Sequence, residues 1–155
     1  MMKRFSLATL VLGLVIVASA VMVNGLTADD IKGTYWNAEK TAHIRMYKAK
    51  NGKYYGKIEH LVEPNDASGS PKKDPENSNE ELRDRDRLGM VIAKGFTWDA
   101  DENEWNDGTI YNPTDGKTYD GYMYFEGDDK KNLYLRGFVL GMPFLGKTSE
   151  WSRIK

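Results

Sequence analysis

A segment with almost no apolar residues carries three closely spaced arginines, Arg83, Arg85 and Arg87, shortly after Asp74 and Asn77. A guanidinium group binds carboxylates and phosphates through paired hydrogen bonds. We therefore predict that Asn77, Arg83 and Arg85 contact an anionic ligand. The alternative is a solvated loop whose charges pair with one another, each exposed pair contributing about 0 to 1 kcal/mol.

Tyrosines are a second group of candidate ligand contacts. The chain has nine tyrosines and four tryptophans, more than a minimal core needs. A tyrosine combines apolar area with a polar tip, which suits the wall of a pocket. We predict that Tyr55, Tyr111, Tyr119 and Tyr122 line or rim a cavity. The high β-propensity of tyrosine is an alternative reason for their presence.

Arg136 lies between Leu135 and Gly137 in a segment with the pattern of a strand. If its side chain faces inward it must be paired, because an unpaired buried charge costs several kcal/mol. An inward Arg136 would orient an anionic ligand. Alternation with Leu133 and Leu135 favours an outward position instead.

The chain has few residues suited to catalysis. His43 and His60 are its only histidines, and neither a G-x-S-x-G nor an H-E-x-x-H motif occurs. We therefore predict that the protein is not an enzyme. A hydrolase or isomerase that uses one histidine together with Asp74 is a third and weaker hypothesis.

One acidic segment resembles part of a calcium loop. Asp99, Asp101 and Asn103 place oxygen side chains at alternate positions, as the first half of such a loop does. Glu104 stands where the loop needs glycine, and Ile110 where it needs glutamate. The sequence therefore predicts an acidic turn, and neither a metal nor a cofactor.

Strand and turn signals predict the elements that position these residues. Residues 108–119 contain a strand, a turn around Asp115-Gly116 and the start of another strand. His43, Arg45 and Tyr47 alternate with apolar residues, and Asn51-Gly52 then turns the chain back. Each unit is typical of a β-hairpin.

Similar units along the chain predict about eight strands and an all-β fold. Local turns join them, which favours an up-and-down antiparallel β-barrel, because closure removes unpaired edges. A two-sheet sandwich is the alternative. Residues 63–87 form a long polar loop, with a possible short helix at 79–85, and loops of this length are typically functional or mobile.

The first twenty residues have the features of a signal peptide. Lys3 and Arg4 precede an uncharged apolar run at residues 7–17, and Ala18-Ser19-Ala20 fits a signal peptidase site. Cleavage would leave residues 21–155 as a single domain in the periplasm or outside the cell, with no membrane attachment. The alternative is an uncleaved membrane anchor that extends to Val23.

Charge and cysteine content exclude several classes of function. The chain has 22 basic residues, of which Lys3 and Arg4 lie in the signal segment, and 23 acidic residues, so the cleaved protein carries a formal charge of −3. A nucleic-acid partner is therefore not expected. The chain has no cysteine, which excludes disulfides, thiolate metal sites and a lipid anchor on an N-terminal cysteine.

Several segments in order resemble a family of small exported bacterial proteins, the domain of unknown function DUF2147. The matching segments are residues 54–58, 74–77, 82–89, 108–119, 135–138 and 146–153. The resemblance implies a signal peptide, a periplasmic or secreted location and a lipocalin-like barrel. It implies no reaction.

A weaker resemblance links the chain to the wider lipocalin-like superfamily, in which a tryptophan of the first strand packs under an arginine of the last strand. Trp36 and Arg153 are the corresponding residues here. This resemblance implies a structural role for the pair, because a guanidinium over an indole face contributes roughly 0.5 to 2 kcal/mol.

The sequence predicts a binding protein whose barrel holds a small, partly apolar or anionic ligand. The alternative is an envelope-interaction or stress-related module, in which the barrel is filled and the long loop binds a protein partner of unknown identity.

Overall fold

The computed structural model describes residues 25–155, which form a closed barrel of eight antiparallel strands. The strands are β1 (Gly33–Trp36), β2 (Ala42–Lys48), β3 (Tyr54–Leu61), β4 (Val91–Asp99), β5 (Glu104–Asn112), β6 (Lys117–Phe125), β7 (Asn132–Phe138) and β8 (Lys147–Arg153). Each strand pairs with the next, and β8 pairs with β1. This topology confirms the predicted up-and-down barrel. The predicted signal segment, residues 1–20, lies outside the described residues.

Period-two alternation sets which side chains face the interior. In β2, Ala42, Ile44 and Met46 are buried, whereas His43 and Arg45 are not. Successive side chains of a strand point to opposite faces, so the apolar set fills the barrel and the polar set lies on its outer wall. The alternation predicted from the sequence is therefore confirmed.

Large side chains pack the barrel interior. Phe96 is fully buried, and a Cβ added at Gly108 would lie 2.4 Å from its ring atoms. A Cβ at Gly56 would lie 2.6 Å from the Met46 sulfur. These two glycines make room for bulky neighbours, and the middle of the barrel is a side-chain core.

A short 3-10 helix, Ala28–Ile31, closes the end of the barrel that we call the plug end. The Trp105 indole Nε1 donates a hydrogen bond to the Ala28 carbonyl at 2.9 Å. The buried Tyr35 hydroxyl donates to the Ile31 carbonyl, also at 2.9 Å. Two core aromatic residues therefore satisfy carbonyl groups of the helix, whose last residue, Ile31, is itself buried.

Arg153 lies over the rings of Tyr35 and Phe125 at this end, 4.7 and 5.7 Å from their centroids. The expected pairing of Arg153 with Trp36 is wrong. Trp36 belongs to the outward set of β1 and packs edge-on against His43. The inward neighbour, Tyr35, takes the place under the guanidinium, because alternation allows only one of two adjacent residues to face the core.

The opposite end, which we call the loop end, carries the long connection between β3 and β4 over residues 62–90. The predicted short helix is limited to a 3-10 turn, Glu80–Leu82, capped by Asn79. The β7–β8 connection at the same end contains a second 3-10 turn, Pro143–Leu145. None of the helices within residues 25–155 has the length and apolar character of a membrane-spanning segment.

Candidate functional site

A buried carboxylate lies at the centre of a hydrogen-bonded network at the loop end. The Asp74 side chain is fully buried. Its Oδ1 accepts from the Tyr111 hydroxyl at 2.7 Å, and its Oδ2 accepts from Asn77 Nδ2 at 2.8 Å and from Arg85 Nε at 2.9 Å. Both carboxylate oxygens therefore have partners, as a buried charge requires.

Arg85 and Tyr111 complete the network. The Arg85 guanidinium lies 5.1 Å from the centre of the Tyr111 ring, while Nη2 forms an ion pair with Asp74 at 2.9 Å. Burial raises the pKa of Tyr111, and the hydrogen bond to Asp74 raises it further because that bond needs the phenolic proton. The tyrosine therefore stays neutral and acts as a donor.

The long loop is fixed to the β5–β6 turn by close backbone contacts. Arg87 donates to the carbonyls of Lys73 at 2.6 Å and of Pro113 at 3.0 Å. Gly116 has a positive φ of 70°, and a Cβ there would lie 1.8 Å from the Glu76 carbonyl oxygen. Only glycine allows the loop to approach the turn this closely.

An open pocket of about 500 Å³ lies beside this network. The loop contributes Asn77, Ser78, Leu82 and Arg85, and the barrel contributes Lys94, Thr109, Tyr111, Gly116, Lys117, Thr118, Tyr119 and Val139. Lys94 pairs with Thr109, and Tyr111 pairs with Thr118. These four residues belong to the outward sets of their strands, whereas Ile110 faces the core. The pocket, which we call the loop pocket, therefore lies between the loop and the outer wall, and it extends to the barrel rim, where Lys117 and Tyr119 belong to the same strand face as Ile110.

Two lysines give the loop pocket a positive charge. Within residues 25–155, neither Lys94 nor Lys117 has a carboxylate within ion-pair distance. Arg85 adds a third cationic group at the edge of the network. Hydroxyl groups of Ser78 and Thr109 also line the pocket and donate hydrogen bonds readily. This combination suits a small anion with an uncharged, partly apolar body.

Tyr119 reaches the pocket from the β5–β6 hairpin. Its hydroxyl donates to Asp115 Oδ2 at 2.6 Å, and this bond is the main cause of the raised pKa of Tyr119. Burial raises the pKa of Asp115, but the hydrogen bonds from Tyr119 and from the Lys117 N–H outweigh burial and lower it overall. Asp115 is thus an ionised acceptor that fixes the Tyr119 ring.

Four of the eight predicted ligand residues, Asn77, Arg85, Tyr111 and Tyr119, line the loop pocket. Arg83 lies next to it, where Nε donates to the Asn77 carbonyl at 2.8 Å and Nη1 contacts Glu80. Ligand contact by these residues stays a prediction.

The other three predicted residues lie elsewhere on the outer wall. Tyr55 stacks on Tyr47 at the plug end and accepts a hydrogen bond from Asn51. Tyr122 faces a different pocket. Arg136 faces outward and donates from Nε and Nη2 to the Pro143 carbonyl, at 3.0 and 2.7 Å, so it holds the β7–β8 connection.

Sequence reasoning missed Lys94 and Lys117. Lys94 is an exposed residue at an outward position of β4, and Lys117 is an exposed residue at the first position of β6, places where lysine commonly serves solubility. Gly95 follows Lys94 and has a positive φ of 78°, but a glycine within a strand indicates a backbone irregularity and not a charged site. Only the tertiary structure, in which the loop covers β4, β5 and β6, places both lysines in the lining of one pocket.

The two histidines lie next to each other on the outer wall, with their rings tilted by 42°. The His43 and His60 ring centroids lie 4.7 Å apart on paired positions of β2 and β3. Burial lowers the pKa of His43, and the neighbouring His60 adds to this effect. Asp74, the carboxylate considered with them, is occupied in its own network. Among residues 25–155, no group of three or more histidine or acidic side chains is arranged to hold a metal ion.

Comparisons with known proteins agree with the barrel. Residues 33–153 match the model of a family described as an uncharacterized protein conserved in bacteria, DUF2147. The barrel is similar to that of protein HP1028 from the human pathogen Helicobacter pylori, which is described as belonging to the lipocalin family. The two chains are 26% identical, the match covers 81% of this chain and 83% of the other, and the TM-score is 0.67. No curated protein sequence matches this chain.

Proposed function

The chain belongs to the DUF2147 family of uncharacterized bacterial proteins, and we propose that it is a binding protein that holds a small anionic ligand in the loop pocket. The observation that carries this proposal is a group of cationic side chains, Lys94, Lys117 and Arg85, around an open pocket of about 500 Å³. A volume of this size matches pockets that hold small organic molecules.

The loop network supports the proposal because it preorganises one wall of the pocket. Asp74 fixes Arg85 and Tyr111 before any ligand arrives, so less conformational entropy is lost on binding. Asp74 also compensates the charge of Arg85, which leaves the two lysines as the main source of attraction. The ligand would therefore contact Lys94 and Lys117 through its anionic group and Tyr119 through its body.

The packed interior favours the loop pocket over the inside of the barrel. The sequence predicts a ligand within the barrel, but Phe96 and Met46 fill the space opposite Gly108 and Gly56. A ligand at that level would have to displace core side chains, at a cost of a few kcal/mol.

The experiment is an NMR titration of the cleaved protein with two probe anions, inorganic phosphate and benzoate. Amide shifts should appear at Ser78, Thr109 and Thr118. The double substitution Lys94→Gln/Lys117→Gln should weaken binding by about tenfold or more, because it removes two positive charges that line the pocket.

The matched control is Lys53→Gln/Lys131→Gln, which removes two charges outside the pocket. Equal weakening in this control would mean that the probes respond only to overall charge and would exclude the loop pocket as the site. Benzoate binding that is tighter than phosphate binding would identify an organic anion as the preferred class.

Export is part of the proposal. The signal-peptide pattern of residues 1–20 supports a periplasmic or secreted protein, and this protein would carry no disulfide because the chain has no cysteine. Mass spectrometry of the protein from its native host should give an N-terminus at Val21. An intact N-terminal Met1 in the mature protein would argue for a retained anchor.

An interaction module is the second candidate. The β7–β8 connection exposes Leu140, Phe144 and Leu145 at 83%, 75% and 60%, and the barrel core is packed. Exposed apolar groups of this size commonly mark a contact surface. Crosslinking in native cells that recovers one protein only when these three side chains are intact would favour this function over ligand binding.

A further inference from the structure

A second and larger pocket, of about 730 Å³, lies on the outer wall across β4 to β7. Its lining consists of Thr97, Trp98, Asp99, Ala100, Asn106, Asp107, Gly108, Asp120, Gly121, Tyr122 and Phe138. We call it the wall groove. It shares no lining residue with the loop pocket. The small-anion function proposed above does not use it.

Aromatic rings form an apolar platform in the wall groove. The Trp98 ring lies 4.5 Å from that of Trp105, which is fully buried and hydrogen bonded to the plug helix. Tyr122 and Phe138 lie on neighbouring strands with ring centroids 6.3 Å apart. Because Trp98 pairs with Trp105, its ring faces the core, and the platform on the outer wall consists of Tyr122 and Phe138, which are only partly covered.

A β-bulge directs two polar residues into the groove. Two residues of β5 lie between the pairs Trp105–Met123 and Gly108–Gly121, where β6 has only one. Asp107 takes a positive φ of 58° in this bulge. The extra residue lets both Asn106 and Asp107 line the groove, which a regular strand would not allow.

The groove has an uncompensated negative charge. Asp99, Asp107 and Asp120 line it, and no basic side chain does among the described residues. None of the three forms an ion pair within residues 25–155. Burial raises the pKa of nearby Glu104, and the charges of Glu102 and Asp99 raise it further, which is consistent with a negative field at this place.

Carboxylates beside aromatic faces recognise organic cations. Ammonium groups bind to carboxylates and to the faces of Trp and Tyr, and methylene chains cover apolar rings. Since no three acidic side chains converge as metal ligands in the described part of the chain, an extended organic cation suits the groove better than a metal ion. We propose that the wall groove binds a linear polyamine, with ammonium groups at Asp107 and Asp120 and the methylene chain along Tyr122.

The test is isothermal titration calorimetry of the cleaved protein with spermidine. The double substitution Asp107→Asn/Asp120→Asn keeps side-chain size and removes two charges, so spermidine should bind about tenfold more weakly. Tyr122→Leu should weaken binding by about threefold through loss of the ring face. Lys94→Gln/Lys117→Gln should leave spermidine binding unchanged, which separates this proposal from the loop pocket.

A matched control, Glu81→Gln/Asp128→Asn, removes the same number of charges from exposed positions outside the groove. Spermidine binding should be retained in this variant, and Mg²⁺ at equal ionic strength should not displace spermidine. The proposal is overturned if the wild type does not bind spermidine, if the control weakens binding as much as Asp107→Asn/Asp120→Asn does, or if Mg²⁺ displaces spermidine completely. Urea unfolding of each variant verifies that the barrel is intact.

Discussion

Each end of the barrel is organised by an arginine, but the two arginines have different partners. At the plug end, Arg153 donates to the carbonyls of Asp30, Lys32 and Lys130 and covers two aromatic rings. At the loop end, Arg85 pairs with the buried carboxylate of Asp74. Arg153 therefore binds backbone groups, whereas Arg85 binds a side chain that also holds Asn77 and Tyr111 beside the pocket. The plug end therefore stabilises the fold, and the loop end shapes a pocket.

The largest expected effect tests the structural role of the plug end. Arg153→Met should lower the free energy of unfolding by about 4 kcal/mol, because three carbonyl groups lose a charged donor and two rings lose a cation. Urea unfolding followed by tryptophan fluorescence measures it. Arg153→Lys should recover only part of the loss, since one ammonium group cannot reach all three carbonyls. Full recovery by lysine would contradict this account of the plug end.

The next effect tests the loop end. Asp74→Ala should cost about 3 kcal/mol, the lower end of the range for breaking a buried ion pair, because Arg85 is partly exposed and becomes hydrated. Hydrogen exchange should rise across residues 74–87 and stay unchanged in the plug helix, Ala28–Ile31. Asp84→Ala, at a fully exposed carboxylate of the same loop, is the control and should have little effect. An equal rise in hydrogen exchange in residues 74–87 and in the plug helix would mean that the two ends of the barrel are coupled.

A smaller effect measures the close contact between the loop and the β5–β6 turn. Gly116→Ala should cost about 2 kcal/mol or more, since alanine meets both a positive φ and the Glu76 carbonyl oxygen. Gly127 has a similar φ of 60° in open space, so Gly127→Ala should cost about 1 kcal/mol. Thermal unfolding of the two variants separates the destabilisation caused by the close contact with Glu76 from the destabilisation caused by the positive φ. Equal losses would show that the loop yields to the added methyl group.

The smallest effect is a pH dependence at the plug end. The hydrogen bond from Lys32, followed by that from Tyr54, lowers the pKa of Asp29 from 3.8 to about 2. A lowered folded-state pKa adds stability above the ordinary pKa, and this stability is lost as the pH falls through the folded value. The stability difference between wild type and Asp29→Asn should therefore shrink between pH 4 and about 2. An equally large stability difference at pH 4 and at pH 2 would contradict the lowered pKa of Asp29. The control is Asp128→Asn, at an exposed position.

The strand order and the facing of most strands follow from local sequence signals. Asn51-Gly52 and Asp115-Gly116 mark hairpins, and the alternation of Ile44 and Met46 with polar neighbours assigns the faces of β2. These signals depend on two to eight consecutive residues, so they can be read without knowledge of the rest of the chain. Where two adjacent aromatic residues compete for the core, as Tyr35 and Trp36 do, the local signal was insufficient.

The candidate site was predicted only in part. Asn77, Arg85 and Tyr111 were identified as candidates from residue type, but their common partner is Asp74, 37 residues from Tyr111 in sequence. Lys94 and Lys117 carried no signal of their own. Local residue type thus indicated chemistry at the loop end, and it could not indicate which charges are already compensated.

The sequence by itself determined an all-β chain of eight locally connected strands, its alternating faces and the polar character of the long loop, because turns and period-two patterns are short-range. Only the tertiary structure decided that Tyr35 lies under Arg153, that Asp74 is buried, and that the loop pocket and the wall groove lie outside a packed barrel. These outcomes depend on strand register, barrel closure and the path of a loop across three strands, which join residues far apart in the chain.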